Sequence, residues 1–112
     1  MKGKDILNNC SQNVKDIIVE NFGSLDNFYA YTYQIGVEQY ISFMKNKNID
    51  SGKEDRLKTF LEVKGLDYFA AEDLVREIIS DYDQTVADNY AQELLGPDWK
   101  KKLAEFEKIV DL

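Results

Sequence analysis

Acidic side chains are the most frequent groups in this sequence that can carry a chemical role, and most of them fall in one segment. Residues 67–99 hold nine aspartates and glutamates against a single base, Arg76, which gives this segment a net charge of −8. The whole chain carries −7, so the rest of the sequence is nearly balanced. Any electrostatic function is therefore expected within residues 67–99.

The spacing of these carboxylates predicts an acidic ridge on a helix. Asp73, Glu77 and Asp81 recur every four residues, and residues four apart lie on successive helical turns, about 6 Å apart along the axis. Such a ridge suits a surface that docks a basic cleft, such as the nucleic-acid groove of a partner protein, because opposite charges steer association. The predicted partner-binding residues are Asp73, Glu77, Asp81, Asp83 and Asp88, together with Tyr31.

Two other interpretations of the acidic segment stay open at this point. The carboxylates are also typical of a solvated helix face that only keeps a small domain soluble. Alternatively, Lys100, Lys101 and Lys102 follow the turn at Gly96–Pro97 and would fold back against the acidic helix. Neutralisation within the chain would then leave no charged surface for a partner.

Tyrosine is the second unusual feature, with seven copies in the chain and four of them between residues 25 and 44. Tyr29, Tyr33 and Tyr40 fit one helical stripe, whereas Tyr31 is expected to lie away from it. An exposed Tyr31 would provide the aromatic centre of an interface, where tyrosine is enriched. The alternative is that the tyrosines line the edge of the core and direct their hydroxyls to water.

The sequence offers little support for catalysis or for a bound cofactor. It contains no histidine, and its one thiol, Cys10, falls on an apolar stripe where a small buried side chain is expected. The six glycines stand singly, so no phosphate-binding loop is present. Asp81, Asp83 and Asp88 faintly resemble a calcium loop, but Val86 and Gln92 occupy its glycine and glutamate positions. We therefore expect no enzyme, no metal and no cofactor; a carboxylate-based enzyme is a remote alternative.

Composition and charge also limit the kind of partner and the compartment. A direct nucleic-acid binder usually presents a basic face, and an anionic membrane would repel this acidic chain. No stretch approaches 18 consecutive apolar residues, which excludes a membrane-spanning helix in the sequence. With a single cysteine and no apolar leader near Met1, a cytoplasmic location is the simplest expectation.

The apolar periodicity predicts an all-α fold, a single domain over residues 1–112 with about five helices and short connections. Ser24 is the expected N-cap of a helix of about twenty residues, and Ser51 and Glu54 have the spacing of a capping box. Gly23, Gly65 and Gly96 are the expected helix ends. The first helix is expected to start near Ser11, and the last at Pro97.

Two stretches of the sequence are ambiguous. Residues 28–37 also alternate with a period of two, as a strand does, but the helical stripe runs too long for a strand, so we favour a helix. A break between Ser80 and Asp83 would divide residues 67–95 into two helices, but the apolar stripe keeps its phase across that point, so we favour one long or kinked helix.

Together these features predict a non-catalytic, cytoplasmic protein-binding domain, an inhibitor or immunity-like protein of the kind used by phage or mobile elements. Its partner would be a protein with a basic surface, without direct nucleic-acid or membrane contact. The alternative is an assembly subunit that self-associates through the tyrosine-rich helix. A helix-turn-helix regulator is less favoured, because its recognition helix would be acidic.

Overall fold

The computed structural model describes residues 2–84 and 90–111, and within these residues the chain forms seven α-helices and no strand. The all-α class is confirmed, although these residues contain seven helices where about five were expected. The radius of gyration is 13.1 Å, as expected for a compact chain of this length. The helices are α1 (Lys2–Asn9), α2 (Gln12–Phe22), α3 (Leu25–Met44), α4 (Gly52–Val63), α5 (Tyr68–Gln84), α6 (Tyr90–Leu95) and α7 (Trp99–Val110).

Part of the extra helix count arises at the start of the chain, where two helices replace the one expected. Ser11 is the N-cap of α2, and its hydroxyl accepts a hydrogen bond from the Val14 amide at 3.4 Å. The predicted start near Ser11 is therefore correct for α2, but α1 precedes it. A short helix gains most of its stability from tertiary packing, and α1 packs against α5 and α3.

Helix α3 forms the centre of the domain, and the strand interpretation of residues 28–37 is wrong. Every side chain from Phe28 to Tyr33 is buried, on all sides of the helix, because α1, α2, α4, α5 and α6 surround it. A helix that is apolar on all sides is typical of a buried position. The prediction of a narrow stripe assumed a surface helix, and this is why it placed Tyr31 outside the core.

Helix α5 packs closely against both α1 and α3 at two glycines. A Cβ atom added to Gly3 would lie 2.7 Å from the carbonyl oxygen of Glu77, and one added to Gly36 would lie 2.6 Å from that of Ile79. Real Cβ atoms do not approach backbone so closely, so both helices come within backbone contact of α5. This fixes the rotation of α5 and therefore which of its side chains face solvent.

The predicted helix ends are correct in most places, but α7 begins at Trp99 with Asp98 as its N-cap, not at Pro97, and the capping box predicted at Ser51 does not form. The glycines expected to end helices, at positions 23, 65 and 96, all have positive φ. Ser51 is the N-cap of α4, but its side chain makes no capping hydrogen bond and the expected capping box with Glu54 is absent. The junction between α5 and α6 falls at residues 85–89, outside the described residues, so the question of one helix or two in 67–95 is not answered there.

Glu54 instead joins three helices through a buried carboxylate. It accepts hydrogen bonds from Gln39 Nε2 of α3 at 3.0 Å and from Lys58 Nζ of α4 at 2.6 Å, and Arg76 Nη1 of α5 lies 3.6 Å away. Burial raises the pKa of Glu54, but these donors and charges outweigh burial and hold the pKa below its ordinary value of 4.5.

This depressed pKa predicts a specific loss of stability in acid. A carboxylate with a lower pKa in the folded state stabilises the fold fully above the unfolded pKa, and this stabilisation is lost as the pH falls through the folded pKa. We expect Glu54→Gln to reduce the free energy of unfolding by about 1–2 kcal/mol at pH 7. The variant should also lose less additional stability than wild type between about pH 5 and pH 3. Urea unfolding across this range measures both effects.

Glu62→Gln provides the matched control for this experiment. Glu62 is an exposed glutamate on the same helix, and it makes no ion pair among the described residues. We expect the free energy of unfolding of this variant to depend on pH as that of wild type does. If the free energy of unfolding fell equally steeply with pH in Glu54→Gln and in wild type, the assignment of acid sensitivity to Glu54 would be wrong.

Candidate protein-binding surface

The outer face of α5 carries the exposed part of the predicted acidic ridge. Asp73 and Asp83 are exposed, and within residues 2–84 and 90–111 neither carboxylate forms an ion pair. Glu77 is one-third exposed and lies 3.5 Å from the ammonium of Lys2, which is itself exposed. An ion pair this open to solvent contributes little to stability. Asp88, also predicted to bind the partner, lies outside the described residues.

Asp81 does not belong to the exposed ridge, and the expectation that it faces a partner is wrong. Its exposed fraction is 1%. A row of residues four apart advances by about 40° around the helix at each step, because a full turn takes 3.6 residues. From Asp73 to Asp81 the row therefore rotates by about 80°, which carries it from the solvent face to the buried face.

The buried Asp81 carboxylate has a structural role. Its Oδ1 accepts the Gly3 amide hydrogen at 2.9 Å, and its Oδ2 accepts the Tyr29 hydroxyl hydrogen at 2.7 Å. Gly3 lies in the first turn of α1, where amides lack partners within the helix and negative charge is favourable. Asp81 therefore joins α1, α3 and α5.

Tyr31 is also buried, with 4% of its surface exposed, so the predicted exposed aromatic centre at this position is wrong. Its hydroxyl donates a hydrogen bond to Glu107 of α7, and Arg56 of α4 donates to the same carboxylate. Burial, and then the hydrogen bond to Glu107, raise the pKa of Tyr31. The expectation that tyrosine hydroxyls reach water is also wrong for Tyr31 and Tyr29, which bind carboxylates.

An exposed aromatic pair lies instead at the beginning of α5, a position that was not predicted. Tyr68 is 53% exposed and Phe69 is 71% exposed. The Asp67 carboxylate accepts the amide hydrogens of Phe69 and Ala70 at 3.1 and 3.4 Å, which fixes the start of the helix. Phe69 and Asp73 are four residues apart and share a face. Asp67 marks the start of this helix in the sequence, but the exposure of Tyr68 and Phe69 depends on how α5 packs against the other helices.

A groove lies between α3 and α5 near the other end of α5. Its volume is about 320 Å³, and Phe43 and Ile49 on its wall are 63% and 51% exposed. Asp83 is on the α5 side of the groove. From Phe69 to Asp83 the helix extends about 21 Å. The residues that line the groove are Gly36, Gln39, Tyr40, Phe43, Ile49, Ile79 and Asp83.

The lysine triplet does not neutralise the acidic face within the described part of the chain. Lys102 Nζ donates to the carbonyl oxygen of Leu95 at 3.0 Å, and Lys100 Nζ lies 5.3 Å from the centre of the Trp99 ring. Among residues 2–84 and 90–111, no ion pair joins Lys100, Lys101 or Lys102 to a carboxylate. Lys102 instead satisfies a carbonyl at the end of α6, where positive charge is favourable.

The thiol of Cys10 has a local partner and a partly buried position. Its Sγ donates to the Leu7 carbonyl oxygen at 2.9 Å. Burial raises the pKa of the thiol, and the charge of Lys15 opposes this effect only in part. A raised pKa disfavours the thiolate, which is the nucleophilic form, and supports the interpretation of Cys10 as a packing residue.

A second cleft, of about 280 Å³, lies where α3, α4 and α7 meet. The ammonium of Lys53 lies 3.1 Å from the Glu38 carboxylate at this cleft, and Glu107 accepts hydrogen bonds from Tyr31 and Arg56. Because these charged groups are already paired with each other, the cleft presents no unpaired charge to a ligand. The acidic face of α5 is the stronger candidate site.

The fold and surface define an all-α domain with an acidic helix face between an exposed aromatic pair and an apolar groove. No family model matches the chain, and comparisons with curated proteins and with solved structures also give no match. Among the described residues, no helix has the length and apolar character needed to cross a membrane.

Proposed function

We propose that this chain is a non-catalytic protein-binding domain, of inhibitor or immunity-like type, whose α5 face docks a basic surface of a partner protein. The observation that carries the proposal is the position of the exposed Phe69 one helical turn before the exposed Asp73, with Asp83 further along the same helix. An apolar anchor beside unpaired carboxylates is a combination that interfaces use.

The two kinds of group have different roles in such an interface. Large aromatic side chains supply much of the binding energy when they enter a pocket of the partner. The carboxylates of Asp73, Glu77 and Asp83 attract a basic surface from a distance and raise the association rate. The net charge of −7 acts in the same direction. The proposed site thus consists of Phe69, Asp73, Glu77 and Asp83, with Tyr68 at its edge.

Reversing the charge of this face tests the proposal. We expect the triple variant Asp73→Lys, Glu77→Lys, Asp83→Lys to weaken binding on the order of 100-fold, since close charge pairs couple by about 1.5 kcal/mol or more. Affinity capture from the source organism identifies the partner, and calorimetry on the purified pair measures the affinity. Binding of the wild-type chain should also weaken as salt is raised.

A matched charge reversal elsewhere separates this surface from general electrostatics. Asp16, Glu20 and Glu105 are exposed on α2 and α7, and changing all three to lysine alters the net charge by the same amount. We expect this control to retain most of the wild-type affinity, and circular dichroism should show intact helices in both variants. Equal losses in the two triple variants, or binding that is independent of salt, would contradict the proposal.

Self-association through the tyrosine-rich helix is the less supported function. Tyr29, Tyr31 and Tyr33 are all buried within their own chain. They are therefore not accessible to a second copy without rearrangement of the core. The net charge of −7 on each copy also opposes pairing.

A further inference from the structure

The groove between α3 and α5 has the properties of a binding site for an apolar side chain. Gly36, Gln39, Tyr40 and Phe43 of α3 form one wall, and Ile79 and Asp83 of α5 form the other. Gly36 has no side chain and lies against the Ile79 backbone, so the two helices meet there. The volume of about 320 Å³ is at the lower end of the range for ligand pockets.

Exposed apolar side chains border this groove. Phe43, at the end of α3, and Ile49, in the connection to α4, line the groove and are 63% and 51% exposed, and Met44, next to Phe43 in the sequence, is 61% exposed. Single exposed apolar residues are common, but exposed apolar side chains on the walls of a groove are typical of an interaction site.

Charge around the groove selects the kind of occupant. The exposed Asp83 on the α5 wall makes no ion pair within the described part of the chain. Among the described residues that line the groove, Asp83 is the only charged one, and Lys45 and Lys47, in the connection that follows α3, are not part of its lining. A second copy of this chain would bring another charge of −7 to the site, whereas a cationic segment is attracted to the acidic face of α5.

We infer that this groove binds an amphipathic helix of the partner, with a large apolar side chain between Phe43 and Ile79 and with basic residues over Asp83. The inference rests on the proposed function, because it takes the partner to be basic. It adds that the recognised element of the partner is a helix, and it states how this helix lies in the groove. The basic flank of the helix lies along α5, and its apolar face lies against α3 and Ile49.

Two designed peptides test this inference on the full chain. One is an 18-residue amphipathic helix of leucine and lysine, and the other has the same leucines with glutamate in place of lysine. In amide NMR spectra, we expect the lysine peptide to shift the signals of Gly36, Phe43, Ile49, Ile79 and Asp83. We expect the glutamate peptide to bind at least tenfold more weakly.

Two variants distinguish the groove from the rest of the acidic face. We expect Phe43→Ser to weaken binding of the lysine peptide by about tenfold or more, as the loss of a central apolar contact does. Val19→Ser, which removes a 44% exposed apolar residue on α2, should leave the affinity unchanged. Both residues are substantially exposed, so neither change should disturb the fold.

Each other outcome overturns the inference in a distinct way. Shifts confined to Phe69 and Asp73, with full affinity in Phe43→Ser, would exclude the groove but leave the proposed function standing. Equal binding of the two peptides would exclude the charge preference, and absence of binding would exclude a cationic helix as the occupant. A doubled mass in light scattering that Phe43→Ser abolishes would identify a second copy of the chain as the occupant. The proposed function is tested separately, by whether the charge-reversal variant of α5 loses binding of the partner protein.

Discussion

Replacing Asp81 with alanine should reduce the free energy of unfolding by about 3 kcal/mol. The change leaves the Gly3 amide and the Tyr29 hydroxyl, both buried, without the carboxylate that accepts their hydrogen bonds. A buried donor that loses its partner costs about 1–3 kcal/mol. Urea or thermal unfolding followed by circular dichroism measures the loss, and amide hydrogen exchange should show faster opening of α1.

Asp83→Ala is the matched control, because Asp83 lies two residues later on the same helix and is exposed. We expect this control to change stability by less than about 0.5 kcal/mol. A double-mutant cycle with Tyr29→Phe should give a coupling of about 1 kcal/mol or more, since the two side chains are in contact. A loss of less than about 1 kcal/mol in Asp81→Ala would contradict the role of this carboxylate.

Gly36→Ala should destabilise the fold by about 2 kcal/mol, in the range typical of overpacking. In an isolated helix the same change would stabilise by about 1 kcal/mol, because alanine is the better helix former. Within the domain, however, the added Cβ would lie 2.6 Å from the Ile79 carbonyl oxygen and 3.1 Å from the Ile79 Cα. These are backbone atoms of α5, so a side-chain rotation cannot relieve the clash.

Gly52→Ala provides the comparison, since Gly52 is also helical and lacks a positive φ. There the nearest atom to an added Cβ is the Asp50 carboxylate oxygen at 3.0 Å, which belongs to a side chain that can move. We expect a change within about 1 kcal/mol. If Gly36→Ala proved as stable as wild type, this result would contradict the close approach of α3 and α5 at Gly36.

The fold class and most helix ends could be predicted from the sequence because they depend on local chemistry. Ser11 and Ser24 cap helices through hydrogen bonds to amides three residues later, and glycine permits the positive φ found at Gly23. The long apolar pattern of α3 indicated a helix. Each of these signals acts within a few residues, so it can be recognised without knowledge of the neighbouring helices.

The exposed and buried sides of each helix were less predictable. The sequence placed Asp73, Glu77 and Asp81 on one ridge, but the packing of α5 against Gly3 and Gly36 directs Asp81 into the core. Burial of a carboxylate requires donors, and two of them come from residues 78 and 52 positions away in the chain. No local pattern indicates such partners.

The sequence alone therefore determined the helical character of this protein, its acidic segment and its lack of histidine. Tertiary structure decided which acids face solvent, buried Tyr31, and placed the exposed pair Tyr68–Phe69 and the Phe43 groove at opposite ends of α5. The physical reason is range: helix formation and capping depend on residues a few positions apart. Exposure depends on how whole helices contact each other, and here that contact depends on two glycines and one buried carboxylate.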